Sequence, residues 1–149
     1  MTDEASGPGQ KDENAGARPP PWRPLSIISA PKPGQLYWCD FWEDALLPEM
    51  WKKRPAVVVS KNHYLKGVCT VLPTSTADQL GPSAKWAHQL STPPHGVDTS
   101  FVICNHVCTI SNSRLSPLCP GPIARLNAEE MGQIMQKMWT WLIPPSPSQ

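Results

Sequence analysis

Apolar and polar positions alternate along residues 35–41, with Leu36, Trp38 and Asp40 on one face and Tyr37, Cys39 and Phe41 on the other. A two-residue period predicts a strand, and Pro33-Gly34 just before it supplies a turn. Residues 42–53 read as a loop. The run Ala56-Val57-Val58-Val59-Ser60 is apolar without alternation, as in a strand buried on both faces. Asn62, Lys66 and Gly67 carry turn chemistry ahead of a third strand over residues 68–72. Alternation returns over residues 84–90 through Trp86, His88 and Leu90, and residues 91–96 read as a loop. Residues 101–103 and 107–110 are two further short strands. The period then changes, because Met131, Ile134, Met135, Met138 and Leu142 recur at helical spacing. Asn127 can cap that helix, with Glu130 three residues on as a variant capping box, and the helix must stop before Pro144. Trp139 and Trp141 flank the apolar stripe, which packs on the β layer or on a second subunit. Short strands at this spacing predict a small barrel or sandwich closed by one helix.

Composition narrows the picture. The chain has 149 residues, 40% of them hydrophobic, enough for one domain with a core. We place that domain at residues 34–143, between tails at 1–33 and 144–149. The first tail holds few apolar groups before Trp22, cannot bury enough surface to offset its chain entropy, and is expected to be disordered. Its Pro19-Pro20-Pro21-Trp22-Arg23-Pro24 run favours polyproline II but reads first as a solvated tail. A formal charge of +1 gives no global attraction to nucleic acid, so a polyanion site must come from local clustering. No stretch approaches the roughly 18 apolar residues of a membrane span, and Met1-Thr2-Asp3-Glu4 opens no apolar signal segment. Five cysteines, an odd number without framework spacing, fit the reduced thiols of a cytoplasmic protein.

The local cluster exists. Lys52, Lys53 and Arg54 stand together, with Lys61 and Lys66 beyond them and Trp42 and Trp51 in the preceding loop. Cations interleaved with aromatic rings suit single-stranded RNA, by phosphate neutralisation and base stacking, or else form a solvated loop whose tryptophans face a dimer partner. Pro55 donates no ladder hydrogen bond, so Arg54 is expected at a strand entrance, where its guanidinium can grip two phosphate oxygens or pair with Glu49. Glu49 is a candidate proton acceptor. After Pro73 come Thr74, Ser75 and Thr76, and alternation sends the two threonines to the face opposite Ser75. Cys104, His106 and Cys108 alternate along one predicted strand, with Cys119 further on; without a second cysteine pair they read as free thiols, and no metal or cofactor is expected.

Four ordered pieces carry a resemblance. Gly34-Gln35-Leu36-Tyr37-Trp38-Cys39-Asp40-Phe41 with Glu49 and Arg54-Pro55-Ala56-Val57-Val58-Val59-Ser60 resembles the opening of the MazF/PemK toxin family. Pro73-Thr74-Ser75-Thr76, the stretch from Val102 to Leu115, and the closing Leu126-Asn127-Ala128-Glu129-Glu130 resemble its later segments. The resemblance implies an all-β dominated (α+β) SH3-like barrel with a C-terminal helix, forming a homodimer. It implies a metal-independent endoribonuclease of a type II toxin–antitoxin module, cutting single-stranded RNA, held by a cognate antitoxin and reaching DNA through the toxin–antitoxin complex. By position it makes Arg54, Ser75 and Glu49 catalytic. We add Lys52, Lys53, Trp51, Thr74, Thr76, Asn105 and His106 as RNA-binding. PemK-type relatives bring an Arg and an Asp from the strand that reads Ile103-Cys104-Asn105-His106 here, so Ile103 and Asn105 depart from that set. His106 is an imidazole able to take over the proton transfer, or else a hydrogen-bonded histidine of the barrel. The departure keeps open a non-catalytic member, or one that poisons gyrase, acting as a binding module.

Overall fold

The structure is a computed structural model describing residues 16–94, 96 and 98–143. Strand β1 (Leu36–Asp40) pairs antiparallel with β2 (Lys53–Val58) from Leu36↔Val57 to Asp40↔Lys53. On its other side β2 takes β3 (Val68–Ser75), from Ala56↔Pro73 to Val58↔Val71. The far side of β3 is shared: β6 (Cys108–Ser111) covers Val68 to Val71, and β5 (Phe101–Ile103) covers Thr74 and Ser75. Strand β4 (Ala87–Gln89) lies on β5, and β7 (Leu115–Ser116) lies on β1. Among the described residues these seven strands form one antiparallel sheet whose end strands, β4 and β7, do not pair. It is therefore not a closed barrel; β6 and β7 are joined by the 3-10 turn Asn112–Arg114 and so link β3 to β1 through the chain rather than through a ladder. Helix α1 (Ala128–Leu142) completes the β-dominated architecture expected from the sequence.

The sheet is buried on both sides, which is why β2 reads as an unbroken apolar run. Tyr37, Cys39, Ala56, Val58, Cys69, Val71, Ile110 and Leu115 form one cluster. Leu36, Val57, Leu72, Val102 and Cys104 form the other, beneath Ile134 and Met138 of α1.

Several boundaries differ from the sequence expectation. Strand β2 begins at Lys53, so Lys53, Arg54 and Pro55 pair with Asp40, Cys39 and Trp38. Val58 donates to Gln35 and Val59 to Thr70, so odd positions of β2 direct their N–H toward β3. Pro55 thus falls on the β3 side, one place outside the last paired rung, where no donor is needed. By the same parity Pro73 lies in the gap where β3 changes partner from β6 to β5, and the strand runs through it to Ser75. Residues 84–86 belong to the 3-10 turn Gly81–Trp86, with Pro82 in its first turn, which shortens the strand expected over 84–90 to β4. Residues 104–107 form a turn closed by His106 N–H donating to the Ile103 carbonyl at 3.2 Å, so the three-ligand strand face expected of Cys104, His106 and Cys108 does not exist. Cys104 packs in the second cluster and Cys108 against the first.

The helix cap is half as expected. Asn127 Oδ1 accepts from the Glu130 amide at 2.8 Å, but the Glu130 carboxylate faces the sheet instead of returning to Asn127. It accepts from His88 Nε2, the Ser91 amide and the Ser91 hydroxyl, each at 3.0 Å. Leu142 remains exposed, whereas Trp141 meets Trp86 edge-on, with centroids 5.2 Å apart. Upstream of residue 34 the chain is also packed: Ile27 is buried in the first cluster, Arg23 pairs with Asp40 at 3.0 Å, and Asn62 donates to the Pro31 carbonyl at 2.8 Å. The tail expected to run to residue 33 therefore joins the domain earlier; residues 1–15 and 144–149 lie outside the described residues.

Candidate active site

Alternation along β2 puts Ala56 and Val58 in the first cluster, and Arg54 follows on the same face one period further out. On β3, Cys69 and Val71 line that cluster, Pro73 follows at the same parity, and Ser75 comes next. Continuing the Ala56↔Pro73 register outward by two places sets Arg54 against Ser75. Both therefore emerge at one rim of the sheet, where the buried rungs end. The guanidinium is fixed there: Nε donates to the Trp51 carbonyl at 3.1 Å and Nη1 to the Thr74 carbonyl at 3.0 Å. Burial lowers its pKa, yet a guanidinium stays ionised. Nη2 has no acceptor among the described residues and is left for a ligand.

Lys52 enters β2 with φ +61°, a left-handed conformation uncommon for a residue with a side chain. The turn leaves Lys52 Nζ 5.4 Å from the Trp51 ring and Lys53 Nζ 5.7 Å from the Trp38 ring. These four residues, with Arg54, Ser75, Thr76 and Asp98, line a groove of about 480 Å³. Cations alternate with aromatic faces along it, the arrangement that tracks a single strand.

The hydroxyls separate as alternation requires. Ser75 Oγ accepts from the Ala77 amide at 3.2 Å and is part-exposed at the groove. Thr74, only 3% exposed, spends its hydroxyl on the Pro55 carbonyl at 2.8 Å. It still lines the groove, and its carbonyl holds Arg54. Thr76 is exposed on the groove wall.

The other expected residues sit elsewhere. Glu49, Asn105 and His106 line a second groove of about 650 Å³, together with Trp42, Asp44 and Cys108. Glu49 does not pair with Arg54; its Oε1 accepts from the Leu46 amide at 2.9 Å and ties its own loop. The half-buried His106 imidazole has its pKa lowered by burial first and by the Arg54 charge second. Arg54 lines the first groove yet stands near enough to act on His106 in the second. Neither the imidazole nor the Asn105 amide has a hydrogen-bond partner among the described residues, so His106 is not a hydrogen-bonded barrel histidine. Ile103 is buried in β5 and brings no charge to either groove. Sequence reasoning missed Trp38 and Asp98 as groove residues. The Trp38 position was readable, since it shares a face with Asp40 two rungs from Lys53; Asp98, in an irregular loop, left no periodic signal.

A family model for the PemK-like, MazF-like toxin of type II toxin–antitoxin systems matches residues 32–142. A comparison with curated protein sequences gives no match. Among solved structures, MazF (Form-I) from Deinococcus radiodurans has a similar fold at 22% identity and a TM-score of 0.61, covering 77% of this chain and 98% of that one. An endoribonuclease from a mycobacterial species, solved with its cognate antitoxin, is 22% identical with a TM-score of 0.55 over 79% of this chain and 100% of that one. A mycobacterial endoribonuclease solved without a partner matches at 21% identity and a TM-score of 0.55, over 81% and 99% of the respective chains. With the family model spanning nearly the whole folded region, including both grooves and the rim between them, the chain belongs to the PemK-like, MazF-like toxins of type II toxin–antitoxin systems.

Proposed function

We propose that this toxin is a metal-independent endoribonuclease that cuts single-stranded RNA, mRNA in the cytoplasm, and thereby arrests growth. The observation that carries the reading is the rim: Arg54 and Ser75 on one sheet face, with Arg54 anchored by two carbonyls and a cation–aromatic groove alongside. Cleavage without a metal needs the 2′-OH to lose a proton, charge on the pentavalent phosphorus to be stabilised, and the leaving 5′-oxygen to gain a proton. Arg54 meets the second need, offering Nη2 to the non-bridging oxygens, and Ser75 Oγ positions the phosphate. Products are a 2′,3′-cyclic phosphate and a 5′-hydroxyl. Lys52, Lys53 and Trp51 hold the strand on one side, and Thr76 borders it; Glu49, Asn105 and His106 face it from the other.

The partner of this activity is a cognate antitoxin, as for the mycobacterial relative solved with one, and DNA is reached through that complex. The toxin acts as a homodimer, for which the exposed apolar end of α1, with Trp139, Trp141 and Ile143, supplies a surface. A second reading rests on Ile103: a buried aliphatic where PemK-type relatives carry a charge favours a non-catalytic or gyrase-directed binding module. One experiment separates the two. Purified protein is incubated with a long single-stranded RNA in EDTA beside Arg54→Ala, and the ends are mapped. Discrete cuts with cyclic phosphate ends, lost in a folded variant, establish the ribonuclease; intact RNA with inhibited supercoiling establishes the module.

A further inference from the structure

We propose that His106 is the general base of the cleavage, so that the RNA strand runs from the Glu49–Asn105–His106 groove, across Arg54, into the groove of Trp38, Trp51, Lys52 and Lys53. The inference rests on the ribonuclease reading and assigns within it the proton acceptor and the strand direction.

Three observations converge on this histidine. Its ring lines a groove of about 650 Å³, on the turn that joins β5 to β6 beside the β3 segment holding Arg54. Its two nitrogens carry no protein partner among the described residues, unlike His88, whose Nε2 is bound to Glu130 at 3.0 Å. Burial and then the Arg54 charge disfavour its protonated form, and a base must be unprotonated. Glu49 fits less well. Its carboxylate is exposed and one oxygen already closes the Leu46 turn at 2.9 Å.

The imidazole takes the 2′-OH proton as O2′ forms its bond to phosphorus. The P–O5′ bond breaks on the opposite side, and O5′ takes a proton from water. Imidazolium then returns its proton to solvent. In-line displacement puts base and leaving group on opposite sides of the phosphorus. With the phosphate on Arg54, the nucleotide bearing the attacking hydroxyl lies in the His106 groove. The nucleotide carrying O5′ leaves over the tryptophans and lysines, where its base can stack. Besides Arg54 from β2, the charged and titratable groups facing His106 are Asp44 and Glu49 from the preceding loop and Cys108 from β6.

The test uses the full chain and an RNA oligonucleotide spanning a mapped cut, with single-turnover rates measured against pH. The wild-type rate should climb from acid and level off below the ordinary histidine value of about 6.5. His106→Gln should lose roughly 10²–10⁴-fold at neutral pH, the range for a missing general base, and lose the acid limb with it. Binding of the same oligonucleotide carrying a 2′-deoxynucleotide at the cut should fall far less than the rate, a split that a positioning role would not give. For the direction, Trp51→Ala should weaken binding of RNA extended 3′ of the cut and leave RNA extended only 5′ unaffected. His106→Gln that cuts at full rate with the limb intact, or that loses binding in step with rate, overturns the assignment while an inactive Arg54→Ala upholds the ribonuclease. Wild-type protein that leaves RNA whole overturns both.

Discussion

Arg54 Nη1 donates to the Thr74 carbonyl at 3.0 Å, so the cation of β2 is held by the strand that presents Ser75. A lysine at this position keeps the charge but has a single terminal nitrogen that cannot span the Trp51 and Thr74 carbonyls while also gripping a phosphate. Arg54→Lys should therefore lose roughly 10²–10³-fold in cleavage rate, the scale of one preorganised charge-stabilising donor. Cleavage kinetics paired with a thermal melt check this, the melt reporting separately the stability lost with the carbonyl bonds. Retained activity would mean that charge alone suffices.

The two neighbouring hydroxyls should separate function from stability. Ser75→Ala removes an exposed hydroxyl whose acceptor role to Ala77 is a surface bond, so cleavage should fall with little change in stability. Thr74→Val strips the donor from the buried Pro55 carbonyl and should cost about 1–3 kcal/mol of folding free energy. Chemical denaturation of both variants beside an RNA assay reads the contrast directly.

Glu130 fastens α1 to the sheet, and its titration should be visible. Burial pushes its carboxyl up, but the hydrogen bonds from His88 and from the Ser91 amide and hydroxyl outweigh burial and hold it below the ordinary range. The unfolded chain then binds the proton more readily than the fold. Stability is full above the ordinary carboxylate value of about 4.3 and drains away as pH falls through the lower folded value. Glu130→Gln should flatten that acid limb and lower stability at neutral pH. Melts across acid pH that superimpose for the two proteins would contradict this role.

The exposed end of α1 makes a different prediction. Trp139 and Trp141 are 50% and 51% exposed, and Trp139 and Ile143 border a groove with Gly132, Met135 and Thr140. A buried tryptophan at a subunit contact is commonly worth 2 kcal/mol or more, at about the hot-spot threshold. Trp139→Glu should shift sedimentation toward monomer at low concentration without unfolding the chain. An unchanged assembly would place the subunit contact elsewhere.

Much of this was legible because it is periodic. The period-two run of β1, the apolar block of β2 and the helical stripe ending at Met138 each reflect burial, and burial is what pattern records. The Asn127 cap was legible for the same local reason. Non-local events were not. No pattern in sequence says that β3 exchanges β6 for β5 at Pro73, although this exchange lets the strand pass through a proline and deliver Ser75. Glu130 looked like half of a local capping box and instead serves His88 and Ser91, 42 and 39 residues away. The same limit explains the divided site: Arg54 and Ser75 were singled out by the family resemblance and meet at the sheet rim, whereas Glu49, Asn105 and His106 sit on a loop and a turn whose placement depends on the whole sheet.

Lys52 and Lys53 differ in what they cost the fold, and salt dependence can expose the difference. Each holds its ammonium near an indole at the mouth of the groove, so each should release counterions when RNA binds. Removing either by alanine should take roughly 0.7 from the slope of log K against log salt for a single strand. Lys52 also occupies a left-handed backbone at φ +61°, whose strain is of order 1 kcal/mol or more for a residue with Cβ. Lys52→Gly should thus lose the same slope as Lys52→Ala yet melt higher than it, while Lys53→Gly, inside β2, should melt lower than Lys53→Ala. Binding isotherms at several salt concentrations with melts of all four variants test both halves at once. Equal slopes with and without the lysines would remove this groove from the RNA path.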